Sequence, residues 1–134
     1  MRLPPWLLLL AAAACGGSPD PAPADAFPLT VHSASGALTL VLRPTPDPPT
    51  VGTDAMELTV SMADGGVPST DLDVSVVPWM VAMDHGTSAP TVTPEGGGRY
   101  LVTNLYFYMQ GVWELRLGFT GPVTDHAEPQ FQVQ

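Results

Sequence analysis

Apolar and polar residues alternate along most of the chain after residue 27. Five runs carry this alternation, and their apolar members are Leu38, Leu40 and Leu42; Met56, Leu58, Val60 and Met62; Leu72, Val74 and Val76; Tyr100 and Val102; Trp113, Leu115, Leu117 and Phe119. A period of two is typical of β-strands that have one buried face and one face in water. Segments rich in Gly, Pro and Asp separate the runs, as turns require. The pattern predicts an all-β protein: an immunoglobulin-like antiparallel β-sandwich of about seven strands.

The N-terminus resembles an export signal. It reads Met1-Arg2-Leu3-Pro4-Pro5-Trp6, then Leu7 to Leu10 and Ala11 to Ala14, and the only cysteine, Cys15, follows at once. A positive start, a short apolar stretch and small residues before a cleavage point are typical of a signal peptide rather than a membrane-spanning helix. A cysteine in this place is typical of bacterial lipoproteins, although Ala12 stands where Leu is usual. We predict a signal peptide over 1–14 and lipid attachment at Cys15. An ordinary cleaved signal with a stray cysteine is the alternative.

The segment after Cys15 is rich in Pro, Ala, Gly and Asp and has little to bury. This composition predicts a disordered tether over 15–28, followed by the sandwich domain over 29–134. Removal of 1–14 leaves three arginines, no lysine and 13 acidic residues, so the formal charge is 3 − 13 = −10. Such a domain repels nucleic acid and anionic lipid headgroups. We expect a lipid-anchored protein of the bacterial cell envelope that faces the periplasm. The outer membrane is slightly favoured, since no Asp follows Cys15 directly.

Candidate chemistry is concentrated in Val77-Pro78-Trp79-Met80-Val81-Ala82-Met83-Asp84-His85-Gly86, which we expect to leave the sheet as an edge segment or loop, with Pro78 as a sign of an irregular path. Met83 and His85 are two residues apart and would point the same way in an extended chain, whereas Met80 joins them only if the backbone bends. Thioether sulfur and imidazole form a soft ligand set that suits Cu(I), whereas Zn(II) prefers thiolate, imidazole and carboxylate. The sequence predicts a copper site of Met80, Met83 and His85, with Met109 as a less certain ligand. Trp79 and Asp84 are expected to support it, Trp79 by covering the metal.

Each of these residues also has a structural alternative. Methionines fill irregular cores, Trp79 could be a core aromatic, and Asp84 and His85 could cap a turn. His32 and His126 are interpreted as surface residues. We expect no catalysis, because a lipidated Cys15 cannot act as a nucleophile and the sequence contains no Gly-x-Ser-x-Gly, His-Glu-x-x-His, Walker or dinucleotide-binding motif.

The order of several short motifs resembles a known family. The motifs are Met80-x-x-Met83-Asp84-His85-Gly86, Gly98-Arg99-Tyr100, and Met109-Gln110-Gly111-x-Trp113-Glu114-Leu115, preceded by the turn Asp64-Gly65-Gly66-Val67-Pro68. Together they look like the YtkA-like domain, over roughly residues 38–131. The resemblance implies an immunoglobulin-like sandwich outside the cytoplasm, and it implies a relation to FixH-like proteins, which are associated with copper handling and cytochrome oxidase maturation.

Residue by residue, Met80, Met83 and His85 match the family's Met-x-x-Met-x-His segment, and Tyr100, Gly111 and Trp113 match its structural landmarks. Val81 departs from the family, in which proline is frequent at that position. Two functions follow. The first is a non-catalytic lipoprotein that binds copper as chaperone or buffer and passes it to another envelope protein, in oxidase assembly for example. The alternative is a metal-free immunoglobulin-like module that contacts an envelope protein, with the run Tyr106-Phe107-Tyr108 as contact surface.

Overall fold

The computed structural model describes residues 23–24, 26–68 and 70–134. The predicted signal peptide, Cys15 and most of the predicted tether lie outside these residues. The first sheet has five antiparallel strands, which are β1 (Leu29–His32), β2 (Leu38–Thr45), β3 (Gly52–Met62), β6 (Thr91–Gly96) and β7 (Arg99–Phe107). Their spatial order is β1-β2-β3-β7-β6.

The second sheet contains β4 (Asp73–Met80), β5 (His85–Gly86), β8 (Gly111–Thr120), β9 (Asp125–Ala127) and β10 (Gln130–Val133). The order is β10-β8-β4-β5, and β9 pairs with β8 on the side that β10 also uses. A single 3₁₀ helix, Val81–Met83, is the one helix in the described part of the chain. The all-β antiparallel sandwich predicted from the alternation is therefore confirmed.

The core lies between the two sheets and is formed by the predicted apolar positions. Leu38, Leu40 and Leu42 of β2 are at most 1% exposed, and Trp113 and Leu115 of β8 are equally buried. Because side chains alternate along a strand, the same pattern leaves the other face of each sheet to polar residues. The strands beyond the expected seven are short segments of two to four residues, for example β5 and β9, which are too short to show a period.

The N-terminal segment contacts the domain earlier than the sequence suggests. Ala24 forms a parallel bridge with Phe131 of β10 through two backbone hydrogen bonds of 3.0 and 2.9 Å. The ring of Phe27 meets the ring of Phe131 edge-on at 5.8 Å. Contacts with the sandwich therefore extend back to Ala24, inside the segment assigned to the tether.

Two turns lie at the same end of the sandwich, which we call the tip. The first turn, 81–84, joins β4 to β5, and the second, 108–110, joins β7 to β8. The loop 46–51 reaches this end as well, since the Val51 N–H donates to the carbonyl of the C-terminal Gln134 at 3.0 Å. The opposite end, the base, contains the turns 33–37 and 121–124.

Candidate functional site

Strand β4 continues through Met80, so the predicted loop begins later than expected. The inward positions of β4 extend the alternation to Pro78 and Met80, and Met80 is only 4% exposed. Pro78 has no N–H to donate, and its carbonyl accepts a hydrogen bond from the Thr87 N–H at 3.1 Å. The N and O of one strand residue point to the same neighbour, so the missing N–H faces the edge next to β5 and not the central strand β8. Met80 is therefore a core residue that pairs with a strand on each side, and the expectation that it leaves the sheet on an edge segment or loop was wrong.

The turn after Met80 exposes the second methionine. None of the residues in the 3₁₀ helix Val81–Met83 is buried, and Met83 is 53% exposed. Asp84 ends the helix in the left-handed conformation, with φ 52° and ψ 40°, and its N–H donates to the Val81 carbonyl at 3.3 Å. Asp84 thus closes the turn, which is the structural role that the sequence analysis left open for it.

His85 begins β5 directly opposite Met80. Directly paired residues of antiparallel strands point to the same face of the sheet. The imidazole of His85 therefore lies on the same face as the Met80 side chain, although His85 is exposed and Met80 is buried. Its Nδ1 lies 3.4 Å from the Gly86 carbonyl oxygen. Because a carbonyl can only accept, this contact favours the tautomer with the proton on Nδ1 and leaves the Nε2 lone pair available.

Tyr108 supports the imidazole of His85 from one side. The two rings are stacked, with centroids 5.2 Å apart and an interplanar angle of 11°. The Tyr108 hydroxyl oxygen lies 3.4 Å from Nδ1 and 3.2 Å from Nε2. An oxygen almost equidistant from both nitrogens of a nearly parallel ring lies over the ring face, whereas the lone pair of Nε2 lies in the ring plane. The contact is therefore a stack that positions His85 and leaves the Nε2 lone pair free.

The second turn carries Met109. Met109 is 40% exposed, and its carbonyl accepts a hydrogen bond of 2.9 Å from the indole N–H of the buried Trp113. The ring of Trp113 also meets the ring of Tyr108 edge-on at 4.9 Å. These contacts fix the turn 108–110 beside the turn 81–84, and the 3₁₀ helix lies against β8.

Gly111 closes the contact between the two turns. Its φ is +134°, and a Cβ at this position would lie 2.9 Å from Cε of Met80. Only glycine combines that backbone conformation with so close a neighbour. The buried Met80 side chain therefore ends beneath the start of β8, whereas Met83, His85 and Met109 remain at the surface. We call these three side chains the donor set.

Trp79 does not belong to this group, contrary to its expected supporting role. It neighbours Met80 along the strand and therefore points to the outer face of the sheet. There the Arg116 guanidinium carbon lies 3.7 Å from the centroid of the Trp79 ring, and Arg116 Nε donates to Glu114 at 2.9 Å. Gly86 lies opposite Trp79, and a Cβ on Gly86 would be 3.0 Å from the indole and 2.6 Å from the Pro78 carbonyl oxygen.

Tyr108 is the contributor that sequence reasoning missed as a site residue. It lies in the aromatic run Tyr106-Phe107-Tyr108, which was interpreted only as a contact surface. Its proximity to His85, 23 positions away, depends on a hairpin turn and an inter-sheet connection that meet at one end, and no local pattern carries that information.

At the base, the carboxylate of Asp125 is occupied by hydrogen bonds. The Asp125 carboxylate accepts from the Ser35 hydroxyl, and also from the backbone N–H groups of Ser35 at 3.3 Å and His126 at 2.9 Å. Hydrogen bonds from the side chains of Ser35 and Ser33 hold the pKa of Asp125 well below its usual range, and the bond from Ser35 contributes most. His32 and His126 are exposed, as the sequence indicated.

Within residues 23–24, 26–68 and 70–134, no three His, Cys, Asp or Glu side chains are grouped in a way that could hold a metal ion. The donor set consists of two thioethers and one imidazole and is of a different kind. In the same residues, no helix has the length and apolar character needed to cross a membrane.

Comparison with known proteins places the chain in a family. No curated protein and no solved structure matches it. The model of the YtkA-like family matches residues 32–118, a range that contains both turns of the tip and every member of the donor set. The chain therefore belongs to the YtkA-like family.

Proposed function

We propose that this chain is a non-catalytic exported lipoprotein that binds copper as Cu(I) at the tip of its sandwich. One observation carries the proposal: Met83 and Met109 are exposed on the two turns of the tip, and the exposed imidazole of His85 directly follows the first turn. Uncharged sulfur and imidazole are soft donors that suit Cu(I), and thioethers withstand an oxidising compartment better than thiolates do.

Met80 is left out of the proposed ligand set. Its side chain is 4% exposed, and its methyl carbon packs beneath Gly111. A ligand needs a lone pair that the metal can reach without opening the core, and the three exposed donors satisfy this requirement. Copper at such a site exchanges by replacing one soft ligand at a time, which suits a chaperone or buffer that passes the metal to another envelope protein. The family resemblance points to cytochrome oxidase assembly as the receiving process.

The charge around the donor set favours a cation. The three arginines of the described residues, Arg43, Arg99 and Arg116, all lie in strands and outside both turns. Asp84 is the charged residue within the turn 81–84. Together with the formal charge of −10 after removal of 1–14, this arrangement attracts metal ions and repels anionic partners.

The copper site is tested by an anaerobic competition titration of the mature protein against a chromophoric Cu(I) chelator. We expect one Cu(I) per chain, and we expect Met83→Leu, Met109→Leu and His85→Ala each to weaken binding by about ten-fold, or about 1.4 kcal/mol. Met80→Leu is the matched control and should change the affinity by less than about two-fold, since the swap removes a thioether that is buried. A Cys15→Ser form controls for the sulfur of Cys15. Unchanged affinity in both Met83→Leu and His85→Ala would refute the site.

The lipid anchor is supported by the sequence of residues 1–15 alone. Lipidation is tested by fractionating cells that express the full chain or Cys15→Ser, and by measuring the mass of the mature N-terminal peptide. We expect the chain in the membrane fraction with a lipid-modified Cys15, and we expect the variant in the periplasmic soluble fraction. A mature peptide with an unmodified Cys15 would instead support an ordinary cleaved signal.

A metal-free interaction module is the second candidate. The exposed apolar side chains of the tip favour it, because Val81 is 42% exposed and Met83 and Met109 are more than a third exposed. Exposed apolar groups that lie together mark contact surfaces in many proteins. Absence of Cu(I) uptake by the unmodified mature protein would support this function over copper binding.

A further inference from the structure

The methionines of the described residues fall into two classes of accessibility. Met56 and Met80 are 1% and 4% exposed and belong to the core, and Met62 is partly buried against it. Met83 and Met109 are 53% and 40% exposed, and both lie on the turns of the tip. The oxidisable sulfur that solvent reaches is thus concentrated at the donor set.

We propose that Met83 and Met109 form a reversible oxidation site that switches the copper site off. The oxidant in this proposal is hydrogen peroxide. The thioether sulfur donates an electron pair to one peroxide oxygen, the O–O bond breaks, and the product is a sulfoxide plus one water. The step replaces a soft sulfur donor by a hard oxygen donor, which suits Cu(I) poorly. The effect on copper rests on the proposed function, whereas the site of oxidation does not.

The surroundings of these two side chains allow the modification without unfolding. No residue of the 3₁₀ helix that carries Met83 is buried, so a polar oxygen there meets solvent. The turn of Met109 is held by the hydrogen bond from Trp113 to the Met109 carbonyl and not by the thioether. Oxidation of Met80 or Met56 would instead place a polar group in the core, where it is costly. The fold thus confines peroxide chemistry to positions at which a reductase can reach the product.

The experiment treats the mature metal-free protein with graded hydrogen peroxide and maps sulfoxides by peptide mass spectrometry. We expect Met83 and Met109 to be oxidised at least about ten-fold faster than Met56 and Met80, with the thermal unfolding midpoint unchanged. Oxidation of Met62 or Met80 at the rate of Met83 would overturn the proposal.

Copper uptake is then measured on the same samples, before and after a methionine sulfoxide reductase. We expect Cu(I) affinity to fall by about ten-fold on oxidation of the tip and to return after reduction. Met62→Leu is the matched control and should keep the full sensitivity, whereas Met83→Leu/Met109→Leu should show none. Full affinity with both tip methionines oxidised would overturn the switch. Failure of untreated protein to bind Cu(I) would refute the proposed function instead, and the peptide map would still decide the oxidation site.

Discussion

Replacement of Gly111 by alanine tests how the core holds the tip. The backbone of Gly111 has φ +134°, and an added Cβ would lie 2.9 Å from Cε of Met80. The unfavourable φ costs about 1–3 kcal/mol for a residue with a side chain. The close contact adds less, because the atom that must move is the flexible end of a methionine. We expect Gly111→Ala to lower the free energy of unfolding by about 2 kcal/mol, which corresponds to roughly 8–16 °C in a domain of this size.

The assay is urea unfolding followed by tryptophan fluorescence, to which the buried Trp113 and the partly buried Trp79 both contribute. Gly52→Ala is a matched control, since Gly52 also has a positive φ of 120° but nothing lies within 4 Å of its added Cβ. The control measures the backbone cost alone, and the excess in Gly111→Ala measures the Met80 contact. When Met80 is first replaced by alanine, the further change Gly111→Ala should cost only as much as Gly52→Ala does. If Gly111→Ala is as stable as the original chain, the reasoning about this junction is wrong.

Two further predictions concern pH. Burial raises the pKa of Asp54, and the hydrogen bond from the Thr50 N–H lowers it less; the native state therefore loses stability as the pH rises from the usual value of 3.8 through the raised pKa. Asp54→Asn keeps an acceptor for Thr50, so urea unfolding should show a larger gain in stability at pH 7 than at pH 3, and an equal gain at both would contradict this. The lowered pKa of Asp125 has the opposite sign, since its stabilisation is complete above 3.8 and is lost as the pH falls through the lowered pKa. Asp125→Asn should therefore destabilise the domain at pH 7 and progressively less in acid, and a difference that grows in acid would refute the assignment.

The alternation of apolar residues was sufficient to predict the fold class, because burial on one face of a strand is a local property of the chain. The same rule, continued two steps past Val76, leads to Pro78 and Met80, and it would have assigned Met80 to the core. The proline was interpreted as a sign of an irregular path. Its tolerance depends on which neighbour its nitrogen faces, and that requires the sheet order.

The candidate site was predictable in its residue types and not in its geometry. Met83, His85 and Met109 were identified from their chemistry, and the structure places all three at the surface of one end. The exclusion of Trp79 follows from period two once β4 is known to reach Met80. The stack of Tyr108 on His85 depends on a contact between the β4–β5 hairpin and the connection from one sheet to the other, which a single sequence does not encode locally.

The parallel bridge between Ala24 and Phe131 sets the direction in which the chain joins the domain. Strand β10 runs toward the tip, so the chain at Ala24 runs toward the tip as well. Pro23 is the eighth residue after Cys15, so the two residues can be at most about 29 Å apart. Strand β8 from Trp113 to the base is about 24 Å long. If Cys15 carries a lipid, the direction of the chain at Ala24 favours the base as the end of the domain nearer to the membrane, and the donor set lies at the opposite end.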